Sequence, residues 1–161
     1  GKAMVQEWAA KNRTGHRTGK GTTMHDRMAL LFANEAFYAA FAGHDYTAMQ
    51  ALWARHAPVA CIHPGWGVLE GREAVMESWR AILGNAGNAP AASPRDARAF
   101  VLGEAGYVTC FEAFPEGFLI ATNLFVREEG EWRLVHHQAG PTRDQPAEED
   151  ENDPTRPRAM Q

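Results

Sequence analysis

Four side chains in this sequence have the type and setting for proton chemistry: His63, Glu112, Asn123 and His136. His63 closes the apolar run Val59-Ala60-Cys61-Ile62 and precedes Pro64-Gly65-Trp66. A neutral imidazole is a competent general base or acid near pH 7. The same ring also serves as a strut bonding a loop carbonyl, and both readings stay open. Glu112 lies between Phe111 and Ala113. On the strand face it shares with Cys110 it would reach an apolar interior, which raises a carboxyl pKa and suits proton transfer. On the other face it is a surface acid. Asn123 offers an amide N–H to charge developing on an oxygen. His136 and His137 are adjacent, so in a strand they point to opposite faces.

Around these lie residues able to wall an apolar pocket: Phe37, Tyr38, Phe41, Trp53, Trp66, Trp79, Cys110 and Phe125. Core packing is the alternative for the helix-borne tryptophans. Trp66 differs, because it sits on a turn, where a pocket-mouth or lid role is natural. Cys61 and Cys110 read as small buried hydrophobes. There is no CxxC or HExxH and no glycine-rich phosphate loop, so no metal and no cofactor is expected.

The elements that must position these groups come helices first, then strands. Leu30, Leu31, Asn34, Phe37, Tyr38 and Phe41 recur at helical spacing and predict a helix over 26–42, with Gly43 as its stop. Asp45 caps a short second helix carrying Met49, Leu52 and Trp53. A strand over 59–63 ends at Pro64-Gly65. A third helix runs from Gly71 to Gly84, with Val75, Trp79 and Ile82 on one stripe. Residues 85–94 read as a loop. Strands follow over 97–102, 107–114, 118–127 and 132–139. A tight turn at Glu129-Gly130 pairs Phe125 with Leu134 and Asn123 with His136. Helices gathered on one side of an antiparallel sheet make an α+β layer fold.

One domain accounts for the 161 residues. Residues 1–24 read as a flexible basic leader, with Lys2, Lys11, Arg13, Arg17 and Lys20 against Glu7. Residues 141–161 read as a disordered acidic, proline-rich tail, leaving 25–140 as the folded unit. No lysine follows Lys20 and the remainder is acidic on balance, which argues against nucleic acid as a partner. No apolar run approaches the ~20 residues that span a bilayer, so no membrane partner and a cytoplasmic location are expected.

The element order and several phrases resemble the NTF2-like superfamily, in its SnoaL-like branch. The phrases are Phe37-Tyr38-Ala39-Ala40-Phe41 running to Asp45, Ala51-Leu52-Trp53-Ala54, Cys61-Ile62-His63-Pro64-Gly65-Trp66, Leu69-Glu70-Gly71-Arg72-Glu73-Ala74-Val75, Ala121-Thr122-Asn123-Leu124-Phe125 and Trp132-Arg133-Leu134-Val135-His136-His137. The resemblance implies a cone: a strongly curved, mostly antiparallel sheet wrapped around the long first helix, a cystatin-like roll with an apolar cavity at its wide end. It implies a homodimer through the outer sheet face. It also makes the Asn123 face the pocket side, with His136 inside and His137 at the dimer sheet.

Ketosteroid isomerases share this fold, and Asn123 falls where that enzyme keeps a protonated aspartic acid. Phe37 stands at its oxyanion tyrosine, with Tyr38 one helical step away, and Cys61 or His63 at its catalytic aspartate. Steroid isomerisation by that machinery is therefore not expected. Two functions remain. One is a cofactor-independent dehydratase, isomerase or cyclase acting by proton transfer on a small apolar cyclic or polyketide-like molecule, with His63 as base. The other is a non-catalytic ligand-binding or dimerisation domain.

Overall fold

The first helix is built on a four-residue stripe. α1 (Lys20–Ala42) buries Leu30, Asn34, Phe37 and Tyr38, at i, i+4, i+7 and i+8, and turns Met24, Met28 and Phe32 outward. It starts ahead of the expected residue 26. Its end is a Schellman turn: Asp45 N–H donates to Ala40 O at 2.9 Å and His44 N–H to Phe41 O at 3.2 Å. The left-handed position falls on His44 (φ 50°) rather than on the expected Gly43. Asp45 then caps α2 (Tyr46–Leu52), its Oδ1 accepting from Ala48 N–H at 3.0 Å.

The computed structural model describes residues 20–85 and 91–147. The remaining elements are β1 (Ala60–Ile62), β2 (Leu69–Glu70), α3 (Arg72–Gly84), β3 (Ser93–Leu102), β4 (Ala105–Phe114), β5 (Gly117–Glu128) and β6 (Glu131–Pro141). The six strands form one sheet in the order β2-β1-β6-β5-β4-β3. All pairs are antiparallel except β1 with β6. The sheet curls without closing around α1, giving the cone-shaped α+β fold that was expected. Helix and sheet touch closely at Gly106, where an added Cβ would lie 2.7 Å from Leu30 Cδ2.

β3 opens inside the stretch expected to be a loop. Pro94 is tolerated there because β3 is an edge strand and needs no second ladder of N–H bonds. β2 has two residues, too few to leave a period in the sequence. The leader and tail expected at 1–24 and 141–161 lie mostly outside the described residues, although 20–24 are helical and β6 reaches Pro141.

The β5–β6 hairpin carries the register change that decides which histidine of β6 faces inward. Its turn is of the primed type, with Glu129 at φ 53° and Gly130 at φ 80°. Phe125 pairs with Leu134 as expected, but Leu124 pairs with His136 and Asn123 with His137. Val135 is the extra residue of a β-bulge, and beyond it every β6 side chain is on the opposite face. Trp132 and Leu134 are buried before the bulge, His137 and Ala139 after it.

Two side chains pin the segment between α2 and β1. Arg72 donates to Gln50 O, Trp53 O and Ala54 O at 2.8–3.0 Å and so caps α2. The Glu128 carboxylate accepts the backbone N–H groups of Arg55, His56 and Ala57 at 2.8–3.0 Å. These N–H bonds hold its pKa below the ordinary value against the opposing pull of desolvation. Both contacts fix where β1 begins, and hence where His63 stands. Among the described residues no helix is long and apolar enough to cross a membrane.

Candidate functional site

The inward faces of β4, β5, β6 and β1 converge on α1 and α3. β4 contributes Cys110 and Glu112, β5 Asn123, β6 His137, and the end of β1 Cys61 and His63, all buried. Parallel pairing sets Cys61 beside His137. α1 adds Asn34, Phe37 and Tyr38, and α3 adds Ser78 and Trp79, again all buried.

His136 is the correction. Expected inside, it lies on the outer face, with Nδ1 2.9 Å from Ala60 O. His137, expected at the outer sheet, is 2 % exposed and takes the interior position. The Val135 bulge exchanged them. The pairing of Asn123 with an interior histidine survives, with its partner one residue later.

The hydrogen bonds run in one direction. Asn123 Nδ2 donates to Asn34 Oδ1 at 2.8 Å and to Tyr38 Oη at 3.2 Å. Its Oδ1 therefore faces His137 Nδ1 at 2.6 Å and accepts from it. That places the imidazole proton on Nδ1 and leaves the Nε2 lone pair free. Nε2 points at Glu112 Oε1, 3.7 Å away. The Tyr38 hydroxyl also hydrogen-bonds Cys110 Sγ at 3.3 Å, a contact in which either group can donate. Asn34 Nδ2 stands 4.0 Å from the same sulfur.

Burial disfavours the charged form of each of these groups. It pushes the Glu112 carboxyl up to about 7 and His137 down to about 3, where the neighbouring His63 and His136 add to the effect. Glu112 thus presents a carboxyl that titrates near neutrality to a neutral imidazole 3.7 Å away. Desolvation and the nearby Glu112 raise Tyr38, and they lift Cys61 to about 12. Desolvation leads in raising Cys110 to about 11. Neither thiol is a nucleophile at neutral pH.

His63 is held differently. Its Nε2 lies 2.9 Å from Ser78 Oγ, whose own proton goes to Val75 O at 2.7 Å. Nε2 is therefore the donor, which secures the ring, and burial lowers its pKa to about 4. Its faces meet Trp66 and Trp79 edge-on, each with ring centroids 4.9 Å apart. Trp66 is half exposed on the loop between β1 and β2.

The expected wall residues divide. Phe37 packs against Tyr38, Trp79 and His137, and the half-buried Phe41 packs against Trp79. Trp53 bridges to Leu134 and Phe125 is core, so both lie toward the hairpin end. The Trp79 indole N–H is buried with no partner among the described residues. A groove of about 440 Å³ opens beside Pro64 and the β4–β5 turn, lined by Phe114, Glu116, Gly117, Phe118 and Leu119. On β4 the next inward residue beyond Phe114 is Glu112, itself paired with Leu119. Among the described residues no three His, Cys, Asp or Glu side chains gather as metal ligands.

Asn34, Ser78 and His137 are the site residues that sequence reasoning did not assign to it. Asn34 had a signal: a polar amide in the middle of an apolar helical stripe needs a buried partner. Ser78 had none, because serine one step from a buried tryptophan is unremarkable.

Comparison with known proteins agrees with the fold. The profile of the SnoaL-like domain matches residues 31–143. A candidate dehydratase of the NTF2-like family from Streptomyces avermitilis is 32% identical, with a TM-score of 0.66, covering 73% of this chain and 96% of its own. A candidate calcium/calmodulin-dependent protein kinase type II association domain from Thiobacillus denitrificans is 35% identical, with a TM-score of 0.56, covering 68% and 92%. The F-box protein SKIP8 of Arabidopsis thaliana is 26% identical over 113 residues, 69% of this chain; the match spans 48% of that relative's length.

Proposed function

Because the chain belongs to the SnoaL-like domain family, we propose that it is a cofactor-independent proton-transfer enzyme of dehydratase or isomerase type, working on a small, neutral, largely apolar molecule. The observation that carries this reading is the buried Glu112–His137 pair, 3.7 Å apart, with the imidazole tautomer set from behind by Asn123. Neutral groups of opposite proton demand are what a concerted elimination needs. His137 Nε2 takes a proton from carbon. Glu112 gives its proton to the departing hydroxyl oxygen, which leaves as water. Transfer from imidazolium to carboxylate restores the pair. For an isomerisation the same proton returns to a different carbon. The candidate dehydratase from Streptomyces avermitilis supports the class of reaction, as a relative and not as proof.

The test needs no known substrate. A panel of neutral cyclic ketones and hydroxyketones is incubated with the protein in D2O and scanned for deuterium at carbon by mass spectrometry. Glu112→Gln should lower the exchange by roughly 100-fold or more, the usual weight of a positioned acid–base group. Exchange that persists in Glu112→Gln would sink the assignment.

A second reading has its own observation. The outer sheet face exposes Phe100, Leu102, Ile120 and Leu124, with Phe100 stacked on Tyr107 at 4.8 Å. Apolar area of that kind is covered in a stable assembly, and a homodimer through this face follows. A scaffold of this sort, in which the interior pair is only structural, would show no exchange in any arm of the panel. The free thiols of Cys61 and Cys110 agree with a cytoplasmic location.

A further inference from the structure

Beyond the Glu112 carboxyl, which the proposed reaction uses as its acid, an oxygen in this site would need a standing donor, and the amide, hydroxyl and imidazole donors around the Glu112–His137 pair are engaged. Asn123 has both amide hydrogens on Asn34 and Tyr38. The Tyr38 hydroxyl is engaged by Asn123 and by Cys110. His63 gives its Nε2 proton to Ser78, and His137 its Nδ1 proton to Asn123. The Asn123 amide, which the sequence suggested as the oxyanion donor, is therefore spent.

Trp79 is different. Its indole N–H is buried without an acceptor among the described residues. Its ring centroid is 4.9 Å from that of His63 and 6.0 Å from that of His137, and its edges meet Phe37 and Phe41. Trp53 and Trp132 also have unpartnered indoles, but Trp53 bridges to Leu134 and Trp132 lies under Arg127. Among the described residues neither ring packs against the site's histidines. A buried donor without a partner is unstable until an acceptor arrives.

We propose that the Trp79 indole N–H is the oxygen-binding donor of this site, and that the ligand is a neutral, flat, apolar molecule presenting one carbonyl or hydroxyl oxygen to it. This rests on the proton-transfer reading for its consequence, since the indole would stabilise charge growing on that oxygen, but the binding itself does not depend on turnover. The N–H is closed off from solvent. The edge-to-face series Trp66–His63–Trp79 runs from the half-exposed Trp66 ring to the buried indole.

Acetophenone and ethylbenzene serve as probes, alike in ring and size but differing in the oxygen. In proton–nitrogen spectra of the full chain, the indole N–H of Trp79, assigned by its loss in Trp79→Phe, should move downfield with acetophenone and not with ethylbenzene. Trp79→Phe should weaken acetophenone by roughly ten-fold, one hydrogen bond's worth, and leave ethylbenzene unchanged. Equal losses for both probes would make Trp79 a packing residue and overturn the proposal. So would a Trp79 resonance unmoved at high acetophenone, a result read on the native protein even if Trp79→Phe fails to fold. If the acetophenone shift persists in Glu112→Gln while deuterium exchange is also unaffected there, the reaction assignment fails and the Trp79 contact stands.

Discussion

The two faces of the sheet carry opposite contents to those of an ordinary monomer. The inner face of β4, β5 and β6 buries a carboxyl, an amide and an imidazole, Glu112, Asn123 and His137. The outer face presents Phe100, Leu102, Ile120 and Leu124 to solvent. The inner set is tolerated because each group is neutral or bonded, and the asparagine saturates its neighbours. The outer set gains only if something covers it. One face therefore keeps polar groups dry at a cost in stability, and the other leaves apolar area in solvent.

The largest effect on that contrast should come from Asn123→Leu. It strands His137 Nδ1–H and Asn34 Oδ1 together, two buried groups at about 1–3 kcal/mol each, so urea titration should show a loss of roughly 2–5 kcal/mol. A loss below about 1 kcal/mol would mean the inner network holds nothing in place.

Next in size is pH. The folded Glu112 carboxyl titrates near 7, above its ordinary 4.5, so folding strengthens its hold on a proton. Its contribution is complete below pH 4.5 and is lost as the pH rises through 7, a change of roughly 3 kcal/mol. His63 and His137, lowered to about 4 and 3, act in the opposite sense: their contribution is present above 6.5 and falls away toward acid. Glu112→Gln removes only the alkaline loss. Thermal melts should show it gaining on the native protein by up to roughly 3 kcal/mol between pH 5 and pH 8, and a constant difference would show that Glu112 is solvated.

The smallest effect on monomer stability belongs to the outer face. Leu124→Arg should shift unfolding by no more than about 0.5 kcal/mol, as for an ordinary surface change. In sedimentation velocity it should convert a dimer to a monomer. An unchanged assembly would place the interface elsewhere and make the two faces less different than they look.

Much of the fold is local and was legible. The α1 stripe, the Asp45 cap and the Glu129-Gly130 turn rest on periodicity and turn chemistry, which neighbouring residues decide among themselves. So does part of the list of groups that gather inside: His63, Asn123, Tyr38, Cys110 and Trp79 are buried, while the face of Glu112, open between interior and surface in the sequence, was turned inward by the register of β4. What the sequence could not decide is which of two adjacent histidines joins them. Strand alternation puts His136 with Asn123, and it would have done so but for Val135. Nothing in Leu134-Val135-His136 announces a bulge, since valine is an ordinary strand residue. Beyond the extra residue β6 pairs with β5 on one side and parallel to β1 on the other. In the same way the direction of the hydrogen bonds, and with it the free Nε2 of His137 and the spent amide of Asn123, depends on Asn34 arriving from a helix far away in sequence. Residue types and their burial come from the chain itself; which atom of which residue is left to react comes from how the strands are stacked.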